Sequence, residues 1–423
     1  MAWPIVLANI ASPLLGLADT AVIGNVGTVQ ELGAIALGAL LFNFMYWGFG
    51  FLRMSTTGFT AQAAGAGEMS EVNATCLRAL GIGLSVGAVL LLASSPLVEF
   101  GLHLLGGSDA VQDVARQYAA RRVWGAPATL GSYALLGTFL GLGQSKRVLQ
   151  VQLVLNGLNI VLDVALAGYL ELGAVGVATG TAVSEWCAFL FALWLLAKQR
   201  LPRTAWSTLL APHKLKQIAQ ANSDIMIRTL LLLLGFAWFA SRGAAFGDAT
   251  LAGNHLLLQF VSFSAFFLDG FALSAESLVG KAKGAQDKLG FGDAVRLTTK
   301  LAGVTSAALA LAAFTLGTTA IGWLTDLEAV NHVAREFLPY AALYILFSFA
   351  AFQLDGIFIG CTFTRQMRNA AVLSSAVFFI GWWLLTPLAN TGLWLAFIAY
   401  VVARAAALLL WYPALRRHVT GSS

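Results

Sequence analysis

The chain has 423 residues, of which 58% are hydrophobic and only 11% charged, with a formal net charge of +5. An ordinary soluble domain carries about 25% charged residues, so this composition excludes a water-soluble fold, which could not hide so much apolar surface. The basic residues are scattered over short connections between apolar runs, and without a solvated basic domain nucleic-acid binding is excluded too.

Apolar runs of roughly 20 to 30 residues, each long enough to cross a hydrocarbon core as a helix, recur along the chain. They lie near 3–24, 33–58, 75–100, 118–143, 147–169, 173–197, 218–241, 251–279, 296–324, 335–361, 368–389 and 392–414. The predicted fold is an all-α integral membrane protein with twelve spans, because a helix satisfies its own backbone in lipid. Trp3 and Pro4 already belong to the first span, with no basic stretch ahead of it of the kind a cleavable signal needs. So short a start is what a chain lacking an N-terminal segment would show. Connections after the even-numbered spans carry Arg78, Lys146, Arg147, Lys198, Arg200, Lys214, Lys281, Lys283, Arg365 and Arg368, whereas Arg116, Arg121, Arg122, Arg242 and Arg335 lie opposite. With Arg203, Lys216, Lys288, Arg296 and Lys300 in the same connections and Arg416 and Arg417 in the C-terminal tail, the bias is about three to one and places both termini in the cytoplasm. Trp3, Trp124, Trp206 and Trp411 near span ends read as interfacial anchors.

Carboxylates inside these spans are the informative residues. One near the centre of a membrane helix costs roughly 2.5–3.5 kcal/mol and is usually retained to handle an ion, a proton or a substrate. Asp19 stands in span 1, within PLLGLADTAVIG. Asn159 and Asp163 in span 5 are four apart, so they stack on one helix face. Thr181 in span 6 sits in GAVGVATGTAV, whose small residues permit close helix approach. Interhelical hydrogen bonding is the plain alternative for all four. In the second half Asp269, Glu276 and Asp355 are further candidates; Glu276 could instead be solvated near the cytoplasmic end of span 8. Arg53 and Arg228 are expected to neutralise such carboxylates in structural ion pairs.

The chain repeats itself. A shift of 219 residues lays FQLDGIFIGCTFTRQ, from Phe352, on YALLGTFLGLGQSKR, from Tyr133, so that Gly356 meets Gly137 and Gly360 meets Gly141. The same shift lays AESLVGKAKGAQ, from Ala275, on TTGFTAQAAGAG, from Thr56. Six spans separate the copies, so they enter the membrane in the same sense. That predicts two parallel six-helix lobes, 1–205 and 206–423, with QRLPRTAWSTLLAPHKLKQ as a cytoplasmic linker in which Pro202 and Pro212 discourage helix.

LLGLADTAVIGNVG, LRMSTTGFTAQAAGAG, NIVLDVAL, NSDIMIRTLLL, LDGFALSAESLVGKAKG and LDGIFIGCT together resemble the multidrug and toxic compound extrusion (MATE) transporters, in the branch named for DNA-damage-inducible protein F. The resemblance covers essentially the whole chain. It implies two six-helix bundles facing each other in a V, exporting small cationic or amphipathic compounds in exchange for protons or sodium by alternating access. In proton-coupled members an Asp of span 1 with an Asn, Asp and Thr set of spans 5 and 6 forms the protonation site, positions that match Asp19, Asn159, Asp163 and Thr181. Asp355 resembles the carboxylate that takes part in cation binding in sodium-coupled members, although LDGIFIG reads equally as a packing motif. Pro4 and Pro13, with Gly16 nearby, permit a bend in span 1, and the resemblance implies that protonation controls it.

Apolar surroundings favour a neutral carboxyl and a nearby cation favours the carboxylate, so proton and cationic drug compete for one charge. The expectation is a proton-driven multidrug exporter of the bacterial inner membrane, a monomer that needs no cofactor. Sodium coupling and lipid-linked substrate flipping are the alternatives within transport; a flippase would show a more cationic cavity, and the charges assigned above are mainly acidic. A membrane-embedded enzyme or a non-transporting receptor is the alternative outside it. GLSVG, Gly83 to Gly87, fits a hydrolase pattern yet lies in a span, and reads as a packing face. The five histidines lack paired-ligand spacing, there is no Walker A motif, and Cys76, Cys187 and Cys361 read as small packing residues.

Overall fold

The apolar runs fold as lipid requires, into helices that satisfy their own backbone. The computed structural model describes residues 2–10, 28–106 and 108–421, with no strand among them. Helix α1 covers residues 2–10. It is followed by α2 (Val29–Gly48), α3 (Phe51–Gly65), α4 (Met69–Leu92), α5 (Ser94–Leu105), α6 (Asp109–Arg122), α7 (Ala126–Gly141) and α8 (Ser145–Asp163). A π-helical turn, Val164–Tyr169, leads to α9 (Gly173–Ala197) and the short α10 (Trp206–Leu209). The chain then forms α11 (Pro212–Ala244), α12 (Asp248–Gly284), α13 (Lys288–Leu324), α14 (Glu328–Gly360), α15 (Thr364–Leu385) and α16 (Ala389–Thr420). Among the described residues, nine helical segments are long and apolar enough to cross a membrane. Leu92, Trp323 and Leu410 are 86%, 85% and 77% exposed, which suits a surface solvated by lipid tails.

The chain forms two compact units, Trp3–Ile218 and Ala219–Ser423. The stretch proposed as a linker packs on the start of α4. Asn73 donates to the Pro202 carbonyl at 2.9 Å, Thr204 to the Ser70 carbonyl at 3.0 Å, and Arg78 Nε to the Leu209 carbonyl at 2.8 Å. Glu71 receives both Arg78, at 2.9 Å, and Lys214, at 3.4 Å. Pro212 opens α11 instead of breaking it, since a first-turn N–H has no intrahelical acceptor to lose. Pro4 lies within α1. Pro13, Gly16 and Asp19 lie outside the described residues.

The repeat is legible atom by atom. On α7, a Cβ built on Gly137 would come within 2.6 Å of the Arg53 carbonyl oxygen, and one on Gly141 within 2.8 Å of the Thr57 carbonyl oxygen. On α14, Gly356 and Gly360 are pressed against the carbonyls of Ala272 and Glu276, each 219 positions further on. Helix pairs α3–α7 and α12–α14 are thus the same close crossing, which only glycine permits. The turns that follow match as well. Gly67 and Gln286 take left-handed φ of 77° and 54°, and Gly143 and Thr362 take 76° and 56°. Each is followed by an amide that reaches five residues back: Glu68 to Ala63 (2.9 Å), Asp287 to Ala282 (2.9 Å), Gln144 to Phe139 (2.8 Å) and Phe363 to Phe358 (2.9 Å). These are helix-ending motifs that cap orphan carbonyls.

Several spans are less regular than the apolar runs suggest. The run at 33–58 is broken at Phe49 and Gly50 between α2 and α3, and the run at 118–143 is broken by a 3-10 turn, Val123–Gly125, between α6 and α7. Gly83 and Gly87 of GLSVG pack against the backbone of Leu130 and Pro127 on α7. Cys76 and Cys361 are buried packing residues, whereas Cys187 is exposed on the outside of α9, contrary to expectation.

Candidate functional site

The first unit gathers its intramembrane polar residues on α8 and α9. Asn156, Asn159 and Asp163 recur at spacings of three and four, which places them on one face of α8, and all three are buried. Asn159 Nδ2 donates to Thr181 Oγ1 at 3.0 Å and lies 3.5 Å from Asp163 Oδ1. The Thr181 hydroxyl donates onward to the Val177 carbonyl at 2.9 Å, so it can accept from the amide. Glycines bring the helices together here: a Cβ on Gly180 would stand 2.7 Å from Asp163 Oδ1, and one on Gly176 would stand 2.9 Å from the Ala167 amide nitrogen. Asp163 and Asn159 are each 0% exposed. Asp163 is the last residue before the π-helical turn, a local widening that recurs at functional sites. Three of the four residues read as a set from the sequence are therefore in one cluster; the fourth, Asp19, lies outside the described residues.

Asn156 was missed by the sequence reading. Its signal was available, since it sits one turn before Asn159 on the same face. A second polar centre in this unit was also missed: Arg122 of α6 and Glu185 of α9 form a buried ion pair at 2.6 Å. The Arg122 guanidinium lies 5.3 Å and 5.5 Å from the ring centres of Phe42 and Tyr46. Arg122 had been counted only among the charges opposite the cytoplasmic side, and the structure turns it into the core.

In the second unit Asp355 of α14 accepts from Arg228 of α11 through Oδ2, and Arg404 of α16 stands 3.7 Å from the same oxygen. Arg228 thus fills the neutralising role expected of it, while no ion pair joins Arg53 to a carboxylate among the described residues. Glu276 is 1% exposed in α12, which continues two turns beyond it to Gly284; burial removes the solvated alternative. Asp269 lies on the same helix, half-buried, and acts electrostatically on Arg404. The buried charge of this unit is mixed, Asp224, Glu276 and Asp355 with Arg228 and Arg404, and the place of Arg404 beside Asp355 was not foreseen from the sequence. Elsewhere Asp224 binds Arg368 at 2.8 Å and Thr364 at 3.0 Å, and Asn254 exchanges hydrogen bonds with Asn390 and receives Trp394 at 2.9 Å. These join helices as polar glue.

Comparison with known proteins gives a consistent picture. The sequence profile of the MatE family matches residues 4–165 and 225–384. DNA damage-inducible protein F of Escherichia coli K12 is 34% identical over 427 aligned residues, covering 99% of this chain and 91% of that protein. A probable multidrug resistance protein NorM of Xanthomonas campestris is 27% identical, covering 100% of this chain and 94% of its own. Among solved structures, a MOP superfamily transporter from Pyrococcus furiosus superposes with a TM-score of 0.89 at 18% identity, over 99% of this chain and 95% of that one.

Proposed function

The chain belongs to the MatE family, and from that premise we propose that it exports cationic and amphipathic compounds in exchange for protons, carried by the cluster of Asn159, Asp163 and Thr181. It is a multi-pass membrane transporter and not an enzyme. The drug-export part of the reading is supported by the name of the Xanthomonas relative. The proton part is supported by one observation above all: Asp163 is wholly buried beside an amide that is itself tied to Thr181. A carboxyl group so placed accommodates either a proton or a cation, so the two exchange instead of binding together. Asp19, from the first span, joins the same set in this reading.

Sodium coupling through Asp355 is the weaker reading, because that carboxylate already faces two guanidinium groups and a bare cation would have to displace them. The proton gradient is the driving force and no cofactor takes part. The chain works as a monomer in the bacterial inner membrane, with both termini in the cytoplasm as the Lys and Arg bias dictates. The test is ethidium efflux from proteoliposomes under an imposed pH gradient or an imposed sodium gradient. Flux under the pH gradient alone, reduced to background by Asp163→Asn, is expected. Flux under sodium alone contradicts proton coupling, and no flux under either gradient contradicts drug export itself.

A further inference from the structure

The 219-residue shift that superposes the two halves lays Arg404 on Glu185. Equivalent places on α9 and α16 therefore hold a buried charge, with the sign reversed. In the first unit the charge is closed off one to one, Glu185 with Arg122 at 2.6 Å. In the second, two guanidiniums converge on a single oxygen of Asp355. Arg404 reaches that oxygen only at 3.7 Å, beyond hydrogen-bonding distance, and the Nε groups of both Arg228 and Arg404 have no hydrogen-bond partner among the described residues. Each guanidinium carries five N–H donors, and the side chains of Arg228 and Arg404 are only 10% and 6% exposed. Asp269 is the other carboxylate that acts on Arg404, from α12, and Tyr344 and Tyr400 flank it from α14 and α16. The charges come close to balance while the acceptors do not: the arrangement is short of oxygen atoms.

The surroundings are aromatic. The Phe352 ring lies 5.8 Å from the Arg404 guanidinium, and Tyr344 stacks on Phe397 at 4.5 Å. A planar donor fork in such a setting matches a carboxylate bidentately, with the rings left to cover an apolar body. We propose that Arg228 and Arg404 of the second unit form a binding site for the carboxylate of an amphipathic organic anion, with Asp355 as the internal carboxylate that the ligand's own displaces. The site widens the substrate class beyond cations. It rests on the reading of the chain as an exporter of small amphipathic compounds, but not on its proton coupling.

The test is equilibrium binding, with no gradient, of dansylaminoundecanoic acid and of its methyl ester to the full chain in nanodiscs, read by tryptophan-to-dansyl energy transfer with empty discs subtracted. Wild type should bind the acid about tenfold or more tightly than the ester, and Arg404→Gln and Arg228→Gln should each erase that preference. Asp355→Asn should strengthen acid binding by about threefold or more by removing the internal competitor, a gain that a merely structural aspartate would not give. If Arg404→Gln alone does not fold, the paired change Arg404→Gln with Asp355→Asn, which removes one charge of each sign, is read in the same way. Equal affinity for acid and ester in wild type, no binding of the acid, or an acid preference that survives Arg404→Gln would overturn the proposal. Failure of proton-driven ethidium flux with the acid preference intact would remove only the coupling.

Discussion

Helices α8 and α9 of the first unit and α15 and α16 of the second meet at equivalent places with opposite chemistry. Asn159, Asp163 and Thr181 correspond through the 219-residue shift to Phe378, Trp382 and Tyr400. Where the first unit has an amide donating to a hydroxyl at 3.0 Å, the second has the rings of Phe378 and Tyr400 with centres 5.5 Å apart. The glycine crossings and the helix-ending turns are kept in both halves. Duplication has thus preserved the backbone scaffold while the chemistry on it diverged: a protonatable cluster in one unit, an aromatic wall and an arginine pair in the other.

The sharpest way to break this comparison is through the two ionic centres. Arg122→Met strands Glu185 as a buried charge and should cost about 3–5 kcal/mol of stability. Arg404→Met should cost less than half of that, because Asp355 keeps Arg228. Thermal unfolding midpoints in detergent check both, and equal losses would show that Arg404 and Arg122 are equivalent after all. Next in size are the shared crossings. Gly137→Leu and Gly356→Leu each drive a side chain into a backbone carbonyl, and should cost similar amounts, about 1–3 kcal/mol or more; a large difference between them would break the symmetry of the scaffold. Thr181→Val removes the acceptor of Asn159 and should cost about 1 kcal/mol, with slower pH-driven ethidium efflux, while Tyr400→Phe at the equivalent position should leave that efflux unchanged. The smallest effect concerns the turns. Thr362 occupies a left-handed position that Gly143 fills in the first unit, so Thr362→Gly should stabilise by about 1 kcal/mol and Gly143→Thr destabilise by a similar amount.

How much of this could be read in advance followed from the range of each interaction. Asn159 and Asp163 were legible because one helix fixes their spacing, and Thr181 because small residues mark a close approach. The paired glycines were legible because the repeat is written at a constant shift. Arg122 with Glu185, and Arg404 with Arg228 and Asp355, were not. Their partners lie 63, 127 and 49 residues apart in sequence, and no local pattern states which helices will be neighbours. Span ends were blurred for a different reason: α12 and α13 each run 37 residues, since a helix continues past its apolar run wherever polar residues can still be capped or solvated.

In the proposed mechanism the proton resides in the first unit and not at Asp355. The direct measurement is proton release when ethidium binds to purified protein in weakly buffered detergent solution, followed with a pH-sensitive dye. Release by wild type and by Asp355→Asn, and none by Asp163→Asn, is expected. Release that persists in Asp163→Asn and disappears in Asp355→Asn would contradict it.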